Sequence, residues 1–384
     1  MNKKDTLLLI LGIIFITGAI GFVLATIFMP KKDTLAFNFP ELPSVSTDGE
    51  KYYSKLTGLE LSSANLITSP TFCVQVPNGT DGARPQAGLD QAGVIFEAIA
   101  EAGITRFAAI FQNASNTVIG PTRSLRIYYL NWDVPFDCSI IHAGGSDDAL
   151  QAVKAYTHLN GSSTYMYRGT VAARRWNNYF TTSNYLEQYS TNSGKNTANI
   201  TGFTRTTPIF NERYRLEQQA QNPLEITTAT DQDTSALAAK VSHITLKFGN
   251  NANYNVVYDY DIATNTYKRS YASGVPHQIY ACNSQDVNGK NPENVCTLTQ
   301  LAPTVVVAMT VQEKKAADNY HEDITSIGSN EVHIFQNGEV IKGTWQKPSR
   351  ESQITFYDNT GAEIFLAPGQ TIVSAVPAYG AVEY

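Results

Sequence analysis

"CSIIHAGGSDDALQAV", residues 138–153, reads as a short apolar strand, a Gly-Gly turn, a Ser-Asp-Asp helix start and an amphipathic helix. A strand that runs directly into a helix signals a mixed α/β layer. Outward from it the same signs recur. "TFCVQV" (71–76), "AGVIFEAIA" (92–100) and "ITRFAAIFQ" (104–112) are strand-like, while "SLRIYYLNW" (124–132) and "DDALQAVKAY" (147–156) have a helical period. "NERYRLEQQAQ" (211–221) is a further helix candidate. From Val241 onward the signal is β: "HITLKFG", "YNVVYDYD", and "VHIFQNGEVIKGTW" with Asn337-Gly338 as a hairpin turn, then "QITFYDNTGAEIF" turning at Asn359 to Gly361. The expected fold class is α+β: an N-terminal transmembrane helix, a mixed α/β domain with a central sheet, and a smaller, mainly antiparallel β domain at the C-terminus.

The membrane helix is read from Thr6 to Met29, where 24 residues carry no charge. At about 1.5 Å of rise each they cross a hydrocarbon core roughly 30 Å thick. Lys3 and Lys4 precede the run and Lys31 and Lys32 follow it, so charge alone does not orient it. No cleavage site and no lipid-acceptor Cys follows, which predicts an uncleaved anchor over 1–29. Residues 30–55 mix Pro, Ser, Asp and Lys without a period and read as a stalk. The soluble part divides into an α/β domain over 56–236 and a β domain over 237–384.

Cys282 and Cys296 bracket a polar, Asn- and Gly-rich stretch, as in a disulfide-stapled loop of an oxidising compartment. That places the soluble part outside the cytoplasm. Cys73 and Cys138 sit in strand-like runs, as two buried thiols or a second bridge. Net charge is −6 and no basic run is present, so nucleic acid is not an expected partner. The expected partners are the membrane, through the N-terminal helix, and an envelope polymer or envelope protein.

Candidate ligand-binding residues gather in the first domain. Arg84 is followed by Gln86, and Glu97 stands in an apolar run. Arg106 shares strand parity with Ala108 and Ile110, so it lies on an apolar face and needs a partner. A Glu97–Arg106 ion pair and an anion-binding role both answer that need. Arg123 and Arg126 follow a Gly-Pro turn that reads as a helix entry, and residues three apart on a helix share a face, as a guanidinium clamp for carboxylate or phosphate requires. His142 ends the strand before Gly144, Gly145 and Ser146. A helix start there offers free N–H groups to an anion, although Ser146 or Asp147 can cap the same donors. Asp147 and Asp148 repel a phosphate unless Mg²⁺ lies between them. Asn178 lies in "RRWNNYF", where Trp176 and Tyr179 suit stacking and the Asn amides suit hydrogen bonding. His277 in "GVPHQ" is another binding candidate. No nucleophile elbow and no H-E-x-x-H motif occurs.

Several long motifs occur in one order: "LTGLEL", "ARPQAGLDQAGVIFEAIAEAGITRFAAIFQ", "VIGPTRSLRIYYLNW", "HAGGSDDALQAV", "YDYDIATNTYKRSYASGVPH", "NGEVIKGTWQKPSR" and "ITFYDNTGAEIFLAPGQTIV". Together they resemble the YerB-like family of bacterial proteins described as lipoproteins, over most of residues 56–377. The resemblance implies an N-terminal and a C-terminal domain outside the membrane and implies no reaction. Two departures stand out: a membrane helix replaces the lipid-modified Cys, and the loop from Cys282 to Cys296 replaces a shorter acidic turn. Two functions are carried forward. The first is a membrane-anchored extracytoplasmic binding or scaffold protein recognising a polyanionic, glycan or peptide ligand. The second is a Mg²⁺-dependent phosphotransferase or hydrolase on an envelope phosphate ester, with Mg²⁺ as its cofactor. An Arg followed by a Gly-Gly helix entry is loosely similar to the LytR-CpsA-Psr phosphotransferases.

Overall fold

The computed structural model describes residues 51–69, 71–112, 118–136, 138–153, 160–161, 166–167, 179–181, 241–281 and 296–384. The predicted membrane helix, most of the stalk, the helix candidate at 211–221, Asn178 and Cys282 lie outside them. Among the described residues no helix is long and apolar enough to cross a membrane.

The strands used below are, in chain order, β1 (Thr71–Pro77), β2 (Gln86–Ala87), β3 (Val94–Glu101), β4 (Ile104–Gln112), β5 (Ser139–Ile141), β6 (Asn160–Gly161), β7 (His243–Lys247), β8 (Val256–Asp261) and β9 (Thr266–Tyr271). They continue with β10 (Gln278–Ala281), β11 (Thr297–Gln300), β12 (Val305–Val311), β13 (Gly328–Gln336), β14 (Glu339–Lys347), β15 (Thr355–Asp358), β16 (Thr371–Pro377) and β17 (Ala381–Glu383). The helices are α1 (Ile127–Asp133) and α2 (Asp147–Val153).

The runs that form β1, β3, β4 and β16 are apolar on both parities, as strands covered on both faces must be. They lie at the centre of one ten-stranded sheet, ordered β15-β14-β13-β12-β16-β3-β4-β1-β5-β6. β16 runs parallel to both neighbours, with Thr371 opposite Val305 on one side and Val94 on the other, and all seven of its residues are buried. One face carries α1, whose Tyr128, Leu130 and Trp132 join a core with Cys73, Phe96, Val307 and Trp345. On the other face the four-stranded sheet β9-β8-β7-β17 brings Ile244, Val256, Tyr258 and Tyr267 against Ile99, Val306 and Phe335.

The expected α+β class is thereby corrected: the described residues are mostly β. Both described α-helices fall where the helical period indicated, but each spans only seven residues; α2 lies between the parallel neighbours β5 and β6 at one edge of the sheet, and the central strands are not built from such units. The C-terminal strands do not stay in a small antiparallel sheet of their own. β16 completes the central sheet because its two-sided burial suits a central position and not an edge.

Ala102 at φ 51° and Gly103 at φ 73° close β3 onto β4 in a two-residue turn of the I′ kind. Just before it, a bulge between Ile99 and Glu101 places Glu101, not Ala100, opposite Ile104. One extra residue reverses parity, so Glu101 turns to the face of Ala98 and Arg106 while Glu97 keeps the opposite face. Tyr128 and Tyr129 of α1 hold this region by donating their hydroxyls to the carbonyls of Ile99 (2.8 Å) and of Ala98 and Arg106 (2.9 and 2.7 Å).

Cys73 on β1 and Cys138 at the entry to β5 form a disulfide across adjacent strands, with Cα atoms 5.8 Å apart. Of the two alternatives for this pair, the structure contains the bridge. Cys296 is disulfide-bonded too.

Candidate functional site

Glu101 is the hub of the first polar cluster. Its Oε1 accepts from Arg106 Nη2 at 2.7 Å and its Oε2 from Arg126 Nη2 at 2.8 Å. The two guanidinium groups also donate to backbone carbonyls, Arg106 to Ser124 at 2.7 Å and Arg126 to Leu125 at 3.0 Å. Arg106 and Arg126 are thus committed to the fold, one wall of it being the bulge. The Glu97–Arg106 ion pair is not formed, because Arg106 stands opposite Ala98 and Glu97 opposite Phe107, and neighbouring strand residues face opposite ways. Nor do Arg123 and Arg126 share a helix face: the helix begins at Ile127, and residues 121–126 are non-helical. Arg123 N donates to Gln75 O, Leu125 pairs with Gly145, and the Arg123 guanidinium donates to Thr122 O at 3.1 Å.

The Gly-Gly turn is a corner. Gly144 takes φ 74°, which favours glycine, and a Cβ on Gly145 would meet Leu125 O at 3.1 Å. The N–H of Ser146 donates to Leu125 O, and that of Ala149 to Asp148 Oδ1. His142 Nδ1 bonds the Gly144 carbonyl at 2.8 Å. Beside this corner lies a cleft of about 520 Å³, where Arg126, Gly145, Ser146, Asp147 and Asp148 meet the segment around Asp318 and Glu322. Carboxylates outnumber cations on its walls, a poor match to a polyanion. Among the described residues no three His, Cys, Asp or Glu side chains converge as a metal site requires.

The second cluster lies on the opposite face of the sheet and joins residues far apart in sequence. Glu97 on β3 and Arg269 on β9 form a fully buried ion pair, Nη2 reaching both carboxylate oxygens at 2.8 and 2.9 Å. Thr105 donates to Glu97 Oε1 at 3.0 Å, and Asn78 Nδ2 donates to Thr105 at 2.7 Å. Burial, the largest single influence, would lower the Arg269 pKa, but Glu97 together with Tyr258 and Tyr271 outweighs it and holds the guanidinium charged. Arg269 also donates through Nη1 to His277 Nδ1, and His277 Nε2 bonds Gln86 Oε1 at 2.9 Å. The Gln86 amide is oriented by its donors to Pro77 O and Asn78 Oδ1, so His277 is the Nε2–H tautomer and neutral. Burial first, then Arg269 and Arg84, push its pKa well below the usual imidazole value.

Arg84 lies half-buried on top of this network. Its guanidinium stacks on the Tyr271 ring at 3.6 Å, Nε donates to Asn78 Oδ1 at 2.9 Å, and Nη2 to Asn253 O at 2.8 Å. None of these partners is an acid, and among the described residues no carboxylate forms an ion pair with it. Burial lowers its pKa, and nearby Arg269 adds to the effect. Arg84 opens onto a cavity of about 400 Å³ walled by Pro85, Val275, Pro276, Leu298 and the Tyr271 ring, with Thr80, Asn253, Ser273 and Gln278 as its other polar groups.

The predicted residues therefore separate into three places. Arg106 and Arg126 join Glu101; Gly145, Ser146, Asp147 and Asp148 line the acidic cleft; Arg84 and Glu97 belong to the network under the apolar cavity. Arg269 was not singled out from the sequence, yet a signal was there: in "TYKRSY" it shares parity with Tyr267 and Tyr271, a cation on the buried side of a strand.

The chain matches the model "Protein of unknown function (DUF3048) N-terminal domain" over residues 56–196 and the corresponding C-terminal domain over 244–373. It is 26% identical over 339 residues to "Putative lipoprotein YerB" of Bacillus subtilis (strain 168), covering 87% of this chain and 89% of that protein. The crystal structure of the Bacillus subtilis YerB protein aligns with a TM-score of 0.63 at 22% identity, over 87% of this chain and all of that one. That likeness shows a shared fold.

Proposed function

Because this chain belongs to the YerB-like family and carries both DUF3048 domains in order, we propose that it is an extracytoplasmic, membrane-associated binding protein of the cell envelope. The name of the Bacillus subtilis relative, "Putative lipoprotein YerB", supports the location. So do two disulfide-bonded positions, the Cys73–Cys138 bridge and Cys296, which fit an oxidising compartment. The observation that carries the binding reading is Arg84, a half-buried cation with no ion-paired carboxylate among the described residues, at the foot of a cavity of about 400 Å³. A buried charge without a counter-ion is costly, and a ligand anion would offset that cost. The phosphotransferase alternative gains no comparable support, since Arg106 and Arg126 are held by Glu101 and the Gly-Gly corner by Leu125.

Two measurements test the proposal. External protease applied to intact cells should digest the soluble part; protection in cells with a sealed membrane would overturn the location. The full-length protein in detergent micelles should gain thermal stability with at least one class of anionic envelope fragment, as any ligand of the native state produces. That gain should disappear in Arg84→Gln. No shift with any anion would overturn the binding reading.

A further inference from the structure

Resting on the binding role proposed for the Arg84 cavity, we infer that its ligand is a monocarboxylate carried on an apolar body, and not a polyanion. Three features of the cavity lead to this.

The first is net charge. Arg84 and Arg269 contribute two positive charges and Glu97 one negative, with His277 neutral, so a single positive charge is left over. A dianion would enter with one charge unmatched in a partly desolvated site. The second is hydrogen-bonding capacity. Nε and one hydrogen of Nη2 of Arg84 are bonded to Asn78 and Asn253, and one face of the guanidinium is covered by Tyr271, which leaves, among the described residues, the two hydrogens of Nη1 and the second of Nη2 for the ligand. The Nη1 and Nη2 hydrogens form a fork that matches the two oxygens of one carboxylate. The third is the wall. Pro85, Val275, Pro276 and Leu298 are apolar, and Val275 and Leu298 are about half exposed, at 56% and 49%. Apolar side chains around a single charged group are the usual make-up of a small-ligand pocket, the charge fixing orientation and the walls supplying most of the burial. Ser273 and Gln278 add hydrogen-bonding partners for an amide next to the carboxylate.

Two sources share this chemistry: the C-terminal carboxylate of a peptide ending in an apolar residue, and a free aliphatic or aromatic acid. The experiment separates them. Full-length protein in micelles of a neutral detergent is titrated calorimetrically with N-acetyl-Ala-Leu, its C-terminal amide, phenylpropionate, and inorganic polyphosphate. The expected result is heat from N-acetyl-Ala-Leu or phenylpropionate and none from the amide or polyphosphate. Binding of the acetylated dipeptide above phenylpropionate identifies the peptide terminus, and the reverse order identifies the free acid. Arg84→Gln should weaken binding about ten- to hundredfold, the loss of a charge-assisted hydrogen bond. Arg84→Gln also removes packing on Tyr271, so Val275→Glu serves as a second variant: it keeps Arg84 and sets a carboxylate at the exposed mouth of the cavity. It too should weaken carboxylate binding while the melting temperature without ligand stays unchanged. Polyphosphate binding that depends on Arg84 would overturn the monocarboxylate inference and leave the binding role standing. Equal binding of the dipeptide and its amide would overturn it as well, and no binding by any probe would remove both.

Discussion

Asp133 tests how far the burial of a charged group can be read chemically. Its side chain is fully buried at the end of α1, and Gln75 Nε2 donates to its Oδ2 at 2.8 Å. Two oxygens there are buried without a partner, Asp133 Oδ1 and Gln75 Oε1. If both are acceptors, neither can satisfy the other. A proton on Oδ1 would give the carboxylic acid a donor to offer the amide oxygen while Oδ2 goes on accepting from the amide nitrogen, the paired arrangement of an acid with an amide. Burial, opposed only by the Gln75 hydrogen bond, raises the Asp133 pKa well above the usual 3.8, in accord with a neutral acid. The sign follows from linkage: folded Asp133 holds its proton above the pH at which unfolded Asp133 releases it, so stability present below pH 3.8 is lost as pH rises toward the folded pKa. Asp133→Asn reproduces the neutral acid in shape and in hydrogen bonding. The variant should match the wild type near pH 3.8 and become more stable by about 1.4 kcal/mol per pH unit above it, until the native carboxyl ionises. Urea unfolding of both proteins at pH 4, 5, 6 and 7 reads this directly. A stability difference that stays flat with pH, or an Asn variant that is weaker throughout, would refute the neutral acid.

His277 gives the opposite slope. Folded His277 remains neutral while unfolded His takes up a proton below about pH 6.5, so stability falls as pH falls. His277→Gln can accept from Arg269 and donate to Gln86, and between pH 7.5 and 5 the wild type should lose about 2 kcal/mol more than this variant in denaturant titrations. The disulfide closes a loop with a sequence separation of 65, for which chain entropy gives about 4 kcal/mol. The Cys73→Ser/Cys138→Ser double variant should lose up to that amount, and an unchanged urea midpoint would refute a structural role. Ala102 holds a left-handed φ of 51° before Gly103 on an exposed turn, so Ala102→Asn should stabilise the protein by about 1 kcal/mol, read as a higher melting temperature.

The strands and both described helices were legible because their signal is local. The apolar runs that became β1, β3 and β4 stand out in any short window, and Asn337-Gly338 marks the β13–β14 turn where both residues take positive φ. What stayed hidden was pairing. Nothing in "QTIVSAV" says that β16 lies between β12 and β3, although its unbroken burial could have argued against an edge position. The α+β reading generalised from one unit: β5, α2 and β6 do follow one another with β5 and β6 parallel and adjacent, but that unit occupies one edge of the sheet and the central strands do not repeat it. The bulge before Ala102 was equally invisible, yet it decides which acid meets Arg106.

The same distinction governs the site. Arg106 was rightly read as a cation on an apolar face, and its need for a partner was real, but parity selected Glu101 over Glu97. Glu97 in turn found Arg269, 172 residues away, in a pair that ties the first half of the chain to the second. A sequence shows which residues carry charge; only the fold shows which charges cancel. Once Glu101 has taken Arg106 and Arg126, and Glu97 has taken Arg269, Arg84 is left, among the described residues, with one amide, one carbonyl and an aromatic face. Those partners orient a guanidinium without neutralising it. That makes Arg84, one of several candidates among the 28 basic residues of the sequence, the position where a ligand's charge has most to offset.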